Sequence, residues 1–334
     1  MDARKPAGAL LLSRSDVGRL LTPDACIAAV EDAFRQHALG KLPAPGILGL
    51  HGAEGSFHVK AAFNGADRPY FAAKLNANFP QNSTRHGLPT IQGVVILCDA
   101  ASGVPLAVMD SMSITALRTA AATAVAAKYL AAERCEAALI CGCGAQAAAQ
   151  LHALLQVRKP ARVYAYDQDR DKARQFASDQ EAELPVEVSA VPDLREAAAA
   201  SRIIVTCTTA RRWFLAHDMV RPGTFVAAVG ADSEHKQEID PQLMAQATVV
   251  TDLTEQACAI GDLHHAIDAG SLSRADVHAE LGEVVAGAKQ GRSHDQEIIV
   301  FDSTGTGLQD VAAAAAVYRR ALEQHTGIPF SFCD

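Results

Sequence analysis

The sequence has no excess of positive charge. Its 334 residues include 30 Lys and Arg against 38 Asp and Glu, which gives a formal net charge of −8. A protein that neutralises a nucleic-acid backbone needs a basic stripe, and the sequence contains none. We therefore expect no nucleic acid among its partners.

Long apolar runs are also missing. The longest, Thr119–Ala127, is alanine-rich and ends at Lys128, well short of the roughly 20 residues that a membrane span needs. The charges of Asp2, Arg4 and Lys5 precede only a short apolar stretch, so no signal peptide is predicted. We expect a cytoplasmic protein that does not act at a membrane.

Patterns typical of metal sites are missing as well. The eight cysteines are scattered through mostly apolar segments, which is typical of reduced core residues. Cys141 and Cys143 flank a glycine, but no second Cys or His pair has zinc-like spacing. His264 and His265 are neighbours on a helix-like segment and therefore project in different directions. We predict no metal site.

The chain is long enough for two domains, and its pattern changes near residue 114. In the first third, Ser13 and the pair Thr22–Pro23 are helix N-terminus signals. They are followed by four strand candidates, whose last two are separated by a short turn and predict a hairpin: 57–63, 70–77, 92–99 and 105–109. An antiparallel or mixed sheet is expected in this part of the chain.

From residue 114 onward, short apolar strands alternate with helices. A helix is predicted at 114–130 and a closing helix at 309–324, with strands at 137–141, 162–167, 186–191, 202–206, 224–229, 248–252 and 297–301. Alternation of this kind predicts a parallel sheet with helices on both faces, and hence an α/β fold.

A Gly-x-Gly-x-x-Ala motif lies between the first of these strands and the helix predicted at 145–157. Gly142 allows a tight turn, Gly144 leaves no Cβ between the backbone and a pyrophosphate, and Ala147 lets the helix approach the sheet. The unpaired N–H groups at the start of that helix, including those of Ala145 and Gln146, would face the phosphates. The sequence therefore predicts a Rossmann-type dinucleotide site.

The strand that follows this motif ends in Asp167, 25 positions after Gly142. A carboxylate at about this spacing accepts hydrogen bonds from a free ribose diol and repels a 2′-phosphate. No arginine follows at Gln168 or Asp169, so NAD(H) is expected rather than NADP(H). The alternative is that Asp167 only caps the next helix.

Several motifs together resemble the ornithine cyclodeaminase/μ-crystallin family, over about residues 10–321. They are the glycine turn and the segments Phe71-Ala-Ala-Lys-Leu-Asn-Ala-Asn78, Gly87-Leu-Pro-Thr90, Thr115-Ala-Leu-Arg-Thr-Ala-Ala121, Val229-Gly-Ala-Asp232 and Val300-Phe-Asp-Ser-Thr-Gly305. The resemblance implies a homodimer and two domains. One, residues 1–118 and 305–334, would bind substrate and form the dimer, and a Rossmann domain of residues 119–304 would bind NAD(H).

The resemblance also implies roles for individual residues. Lys74 and Arg118 would bind the substrate carboxylate, and Asp232 would be the catalytic acid or base. Cofactor contacts would come from Thr90, Arg118, Thr208, Val229, Gly230, Ala231, Asp232, Lys236 and Ser303. From the residues alone, Lys74 could instead form a salt bridge, Arg118 could be a partly buried helix arginine, and Asp232 could be a loop or capping residue.

The sequence departs from the family pattern in one respect. The family often has an arginine in the strand around residues 46–50 that completes the carboxylate clamp, and none is present here. Lys60 is the candidate to replace it, and a structural lysine is the alternative. Because Asp232 is acidic, the chain resembles the enzymes of the family more than its μ-crystallin branch.

Three functions remain open. The leading one is an NAD(H)-dependent amino-acid dehydrogenase or imino-acid reductase, in which hydride transfer takes place at the α-carbon. The second is a cyclodeaminase, which also needs a group to hold a distal ammonium; Glu54, Asp67 and Glu234 are candidates only by proximity in sequence. The third is a cofactor-binding protein without turnover, against which the Lys74, Arg118 and Asp232 set argues.

Overall fold

The computed structural model describes residues 8–65 and 68–332. Its strands are β1 (Ala9–Leu12), β2 (Gly46–His51), β3 (Ser56–Asn64), β4 (Tyr70–Asn78), β5 (Ile91–Asp99), β6 (Pro105–Asp110), β7 (Ala137–Cys141), β8 (Arg162–Tyr166), β9 (Glu187–Ala190), β10 (Ile203–Thr206), β11 (Arg211–Leu215), β12 (Phe225–Ala228), β13 (Gln237–Ile239), β14 (Thr248–Thr251), β15 (Ala279–Glu280), β16 (Ile299–Asp302) and β17 (Ile328–Phe330). Its helices are α1 (Arg14–Leu20), α2 (Pro23–Ala38), α3 (Asn82–Arg85), α4 (Ser111–Leu130), α5 (Ala147–Val157), α6 (Arg170–Glu183), α7 (Leu194–Ala200), α8 (Pro241–Gln246), α9 (Thr254–Ile260), α10 (Asp262–Asp268), α11 (Leu281–Val285) and α12 (Gly307–Glu323).

The chain divides into two units. The first contains residues 1–118 and 306–334, and the second contains residues 119–305. The roles that the sequence assigned to two domains, substrate binding and cofactor binding, stay predictions.

The first unit contains a mixed seven-stranded sheet in the order β17-β1-β6-β5-β4-β3-β2. β1 and β6 are parallel, and the other neighbouring strands are antiparallel. The predicted hairpin joins β5 to β6, where the Asp99 carboxylate accepts hydrogen bonds from the N–H groups of Ala101 and Ser102, both at 3.0 Å. Gly103 completes this turn with a φ of +75°.

Helix α12 is buried along most of its length and packs on β3, β4 and α2. Its run of alanines, 312–316, presents little side-chain bulk, so the helix can approach the sheet closely. At its first residue, Gly307, a Cβ would lie only 2.7 Å from the carbonyl oxygen of Ala61 on β3. The beginning of α12 is therefore fixed against the middle of β3.

The second unit contains an eight-stranded sheet in the order β15-β14-β16-β12-β10-β7-β8-β9, in which all neighbouring strands are parallel. The chain leaves β7 toward β8 and β9 on one side and returns to β10 and β12 on the other. The order therefore reverses between β7 and β10, which is where open α/β sheets bind ligands at the carboxyl ends of their strands. This topology confirms the predicted Rossmann-type fold.

The sequence missed short or exposed strands. β2 is exposed along its whole length, and β1, β11, β13, β15 and β17 are two to five residues long, so none has a strong period-two apolar pattern. Pairing with neighbouring strands, rather than local pattern, defines them: β2 pairs with β3, the next strand, and β1 pairs with β17 from the other end of the chain. Among the described residues, no helix has the length and apolar content needed to cross a membrane.

Candidate functional site

The glycine turn between β7 and α5 has a backbone conformation that favours glycine. Gly142 has a φ of +94°, and a Cβ placed there would lie 2.7 Å from Cγ2 of Thr208. At Gly144, in contrast, a Cβ would meet nothing within 4 Å. The packing of the protein does not require glycine at 144, whereas a ligand lying against that backbone would. The turn therefore fits a pyrophosphate.

Helix α5 begins two residues later than the sequence predicted. Ala145 and Gln146 form a turn, because the N–H of Ala147 donates to the carbonyl oxygen of Gly144 at 3.2 Å. Gln146 is the N-cap residue, and no side chain caps the first helical turn. Unpaired N–H groups at the start of α5 can donate to an anion, as the motif requires.

Asp167 follows β8 and fixes the glycine turn. Its Oδ2 accepts a hydrogen bond from the N–H of Cys143 at 2.9 Å, and its Oδ1 accepts one from the N–H of Asp169, also at 2.9 Å. The cap of α6 is Asp169 itself, so the capping role considered for Asp167 is wrong. Since each carboxylate oxygen can accept more than one hydrogen bond, Asp167 keeps capacity for ribose hydroxyls.

Glu238, on β13, connects the loops that follow β10 and β12. Its Oε1 accepts hydrogen bonds from the N–H and hydroxyl of Thr208, both at 2.6 Å, and its Oε2 accepts from the Thr206 hydroxyl at 2.7 Å and the Gly230 N–H at 2.8 Å. The side chain is fully buried. Burial raises the pKa of Glu238, and these donors act in the opposite direction.

Asp232 lies four residues after the end of β12 and has an exposed side chain. The segment that leads to it, Val229, Gly230 and Ala231, is buried, but the Asp232 side chain is 53% exposed. Lys236 Nζ donates to its Oδ1 at 2.6 Å. An exposed carboxylate held by a lysine can exchange protons with a ligand or with water.

Ser303 and its neighbours bind a second buried carboxylate. Asp252, after β14, accepts hydrogen bonds from the Ser303 hydroxyl at 3.3 Å, the Thr304 hydroxyl at 3.0 Å and the Gly305 N–H at 2.7 Å. Ser303 is itself only 2% exposed. These bonds fix the loop after β16, and the predicted contact of Ser303 with a cofactor stays a prediction.

A buried ionic cluster occupies the first unit. Lys74 Nζ, on β4, donates to Asp310 Oδ1 at 2.8 Å and to the Thr115 hydroxyl at 3.3 Å. Arg118 Nε, on α4, lies 2.9 Å from the same Asp310 oxygen without hydrogen-bond geometry, and its Nη1 donates to Gln309 Oε1. The salt bridge considered for Lys74 is therefore present, and two cations share one carboxylate.

Burial controls the charge in this cluster. It lowers the pKa of Lys74 to about 7, Arg118 acts in the same direction, and Asp310 opposes both. Burial alone would raise the pKa of Asp310, but Lys74 and Arg118 hold that pKa below its usual value. Asp310 Oδ2 has no hydrogen-bond partner among residues 8–65 and 68–332. The cluster therefore has more positive charge than its one carboxylate neutralises.

Lys60 adjoins this cluster through the strand register. It lies directly opposite Lys74 on β4 and opposite Ile47 on β2, so all three side chains are on one face of the sheet. Ile47 and Gly49 are the residues of the strand at 46–50 on that face, and neither is charged. Lys60 thus lies beside the place where the family often has its arginine.

The remaining predicted residues have contacts of their own. Thr90 is half-buried just before β5, and its carbonyl oxygen accepts a hydrogen bond from the N–H of Phe79 at 2.8 Å. Of the candidates for a distal ammonium, Glu54 pairs with Arg85 at 2.9 Å, Glu234 lies 3.3 Å from His235, and Asp67 falls outside the described residues.

The two vicinal histidines lie within the second unit. His265 Nε2 lies 2.9 Å from the carbonyl oxygen of Lys236, and His264 Nε2 lies 3.4 Å from Asp268. Within 8–65 and 68–332, no group of three or more His, Cys, Asp or Glu side chains is placed to hold a metal ion.

Sequence reasoning missed Asp310 and Glu238. Glu238 lies on the short strand β13 among polar neighbours, so nothing in the local sequence marks it, whereas Asp310 immediately precedes the apolar run 311–317. A charged residue inside an apolar segment is a signal of a buried partner, but the sequence does not say which partner.

Comparison with known proteins gives a consistent result. A model of the ornithine cyclodeaminase/mu-crystallin family matches residues 8–325. The alanine dehydrogenase of Archaeoglobus fulgidus is 39% identical over 97% of this chain and 98% of its own length.

Solved structures also match nearly the whole chain. An archaeal alanine dehydrogenase dimer with bound NAD has a TM-score of 0.93 at 38% identity, with 97% of this chain and 99% of that chain covered. The Δ1-pyrroline-2-carboxylate reductase of Thermococcus litoralis, in complex with NADH and L-proline, has a TM-score of 0.90 at 34% identity, with 96% and 100% covered.

Proposed function

The chain belongs to the ornithine cyclodeaminase/mu-crystallin family, and on that premise we propose that it is an NAD(H)-dependent oxidoreductase acting at the α-carbon of an amino or imino acid. The observation that carries this proposal is the buried cluster of Lys74, Arg118 and Asp310. Its uncompensated positive charge, with Lys60 on the same sheet face, suits the carboxylate that every such substrate has.

The proposed cofactor is NAD(H), which would supply or accept the hydride. The turn at Gly142 and Gly144 would hold its pyrophosphate, and the start of α5 would donate hydrogen bonds to it. Asp167 would accept hydrogen bonds from the ribose hydroxyls, and its negative charge would disfavour a 2′-phosphate. Both structural relatives described above contain NAD or NADH, which supports this assignment.

Each unit has its own task in this proposal. In the first unit, Lys74 and Arg118 would bind and orient the substrate carboxylate, and Lys60 would complete the clamp. In the second unit, Asp232 would hold or release a proton at the substrate nitrogen, with Lys236 keeping its carboxylate in place. Thr90, Thr208 and Ser303 are the weaker candidates for cofactor contacts.

We also propose that the protein is a homodimer that buries the sheet face opposite to Lys74. By register, this face presents several large apolar side chains, namely Leu48, Leu50, Phe57, Leu75 and Ile96, which are 41–59% exposed in the single chain. A contiguous apolar surface of this kind is typical of an interface. Sedimentation equilibrium should give a dimer mass, which Leu75→Lys should reduce toward the monomer.

A panel of L-amino acids with NAD+ tests the activity, with NADH and ammonia followed together. A dehydrogenase releases ammonia and NADH in equal amounts, and an imine reductase oxidises NADH when preformed imines, or 2-oxo acids with amines, are supplied. Lys74→Ala should lose turnover while binding of NADH, followed by fluorescence, is retained. Full activity in Lys74→Ala would contradict the carboxylate assignment.

The same panel distinguishes the other functions. A cyclodeaminase would release ammonia from ornithine or lysine without net NADH, because its cofactor returns to the starting state. Of its candidate residues, Glu54 already pairs with Arg85 and Glu234 lies 3.3 Å from His235 in this structure, so the dehydrogenase or reductase is favoured. Binding of NADH without any turnover would indicate a cofactor-binding protein.

A further inference from the structure

The position of Asp310 gives it a part in the proposed reaction. It lies in the first turn of α12, is 1% exposed, and among the described residues is the one carboxylate that both Lys74 and Arg118 approach within 3 Å. Substrate does not need a carboxylate at this place, since a negative charge repels the substrate's own. A buried acid here therefore needs a separate reason.

We propose that Asp310 is a positioning residue, which holds Lys74 and Arg118 side by side and keeps Lys74 in its ammonium form for the substrate carboxylate. This inference rests on the proposed function. The single oxygen Oδ1 contacts both cations, so their charged groups converge on one point and are held close together. Gln309, the preceding residue, holds the far end of the Arg118 guanidinium.

The neighbours of Lys74 explain why its ammonium form needs a negative charge beside it. On β3, Lys60 faces it with a like charge, and on β5 its direct neighbour is the apolar Val95. Arg118 on α4 adds a second like charge, and Thr115 offers only a hydroxyl. On α2, burial raises the pKa of the Cys26 thiol to about 12, so that group is neutral at pH 7.

Of these neighbours of Lys74, all within the described part of the chain, Asp310 alone is negatively charged. With it in place, the pKa of Lys74 is about 7, and without it burial and the two neighbouring cations would lower the pKa further. An amine that has lost its proton no longer attracts a carboxylate. Asp310→Asn keeps the shape of the side chain and removes its charge. As the pH is raised, this variant should therefore lose substrate binding at a lower pH than the wild type does.

The first readout is the dependence of kcat/KM on pH, measured with the best substrate of the amino-acid panel. In the wild type, kcat/KM should fall as pH rises above about 7, where Lys74 loses its proton. In Asp310→Asn the fall should begin roughly one to two pH units lower, so that kcat/KM is about 10- to 100-fold below wild type at pH 8 and the gap narrows at pH 6. KM should account for most of the change.

Two further variants separate this role from general damage. Asp310→Glu restores the charge and should restore the wild-type position of the pH profile, even where its geometry lowers the rate. Asp99→Asn is the matched control, because Asp99 also pairs with an arginine, Arg68 at 2.9 Å, and lies in the same unit. It should leave the profile in place. An equal loss at every pH in Asp310→Asn, or no loss, overturns the proposal.

A second readout does not depend on turnover. The pKa of Lys74 in the folded state is lower than in the unfolded chain, so the folded protein binds fewer protons and stability rises with pH between about 7 and 10.5. In Asp310→Asn this rise in stability should begin below pH 7. In a Lys74→Met background, the pH profiles of stability with Asp310 and with Asn at position 310 should coincide. If no substrate turns over, the proposed function fails while this titration still decides the role of Asp310. Equal stability profiles of Asp310→Asn and wild type, both with Lys74 intact, would refute that role.

Discussion

Replacement of Glu238 by Gln tests the reasoning about the second unit most directly. The carboxylate accepts four hydrogen bonds, from the hydroxyls of Thr206 and Thr208 and from the N–H groups of Thr208 and Gly230. An amide has one oxygen and one NH2 group. A threonine hydroxyl can rotate and accept from that NH2, but a backbone N–H cannot.

The cost follows from this asymmetry. Each carboxylate oxygen receives one backbone N–H, so in either orientation of the amide one buried N–H faces another donor and loses its partner. An unsatisfied buried donor costs about 1–3 kcal/mol, and loss of the charge from the remaining bonds adds about 1 kcal/mol. The neutral amide is easier to bury, which offsets part of this cost. We expect a net loss of roughly 2–3 kcal/mol.

Urea unfolding of Glu238→Gln and wild type at pH 7.5 measures this loss as a change in midpoint with little change in slope. NADH affinity should also fall, because Glu238 holds the loops that contain Thr208 and Gly230. Thr206→Val is the control, since it removes one hydroxyl and leaves both N–H groups bonded. A Glu238→Gln protein as stable as wild type would show that the cost of burying the charge equals the whole benefit of the hydrogen bonds.

Three other variants test further features of the second unit. Gly142→Ala should lose about 1–3 kcal/mol of stability, because its φ is +94° and its Cβ would crowd Thr208, whereas Gly144→Ala should keep its stability and lose NADH affinity. Thermal unfolding and NADH titration of the pair check this, and unchanged NADH affinity in Gly144→Ala would remove that residue from the cofactor site. Asp302→Asn should reduce the loss of stability between pH 4 and 7, by at most roughly 4 kcal/mol. The reason is that burial raises the pKa of Asp302 to about 7, so the folded state holds a proton that the unfolded chain releases. Urea unfolding at pH 5 and pH 7.5 measures it, and an unchanged difference between the two pH values would contradict the assignment.

Local pattern determined a large part of the fold. Alternating short apolar strands and helices predicted the parallel sheet that the second unit contains. The turn at Gly142 and the acid at Asp167 were also predictable, because the glycine spacing and the end of the next strand are features of contiguous sequence. Physically, backbone conformation and periodic burial depend mainly on near neighbours in the chain.

The tertiary structure alone decided which charged groups share a site. Lys74 and Asp310 are 236 residues apart, and their contact depends on α12 returning to the sheet that contains β4. Glu238 likewise joins loops that follow two separate strands. β17, which is exposed and only three residues long, exists through pairing with β1 at the other end of the chain. Such contacts depend on register and packing between distant segments, and a buried charge in the sequence shows that a partner exists without identifying it.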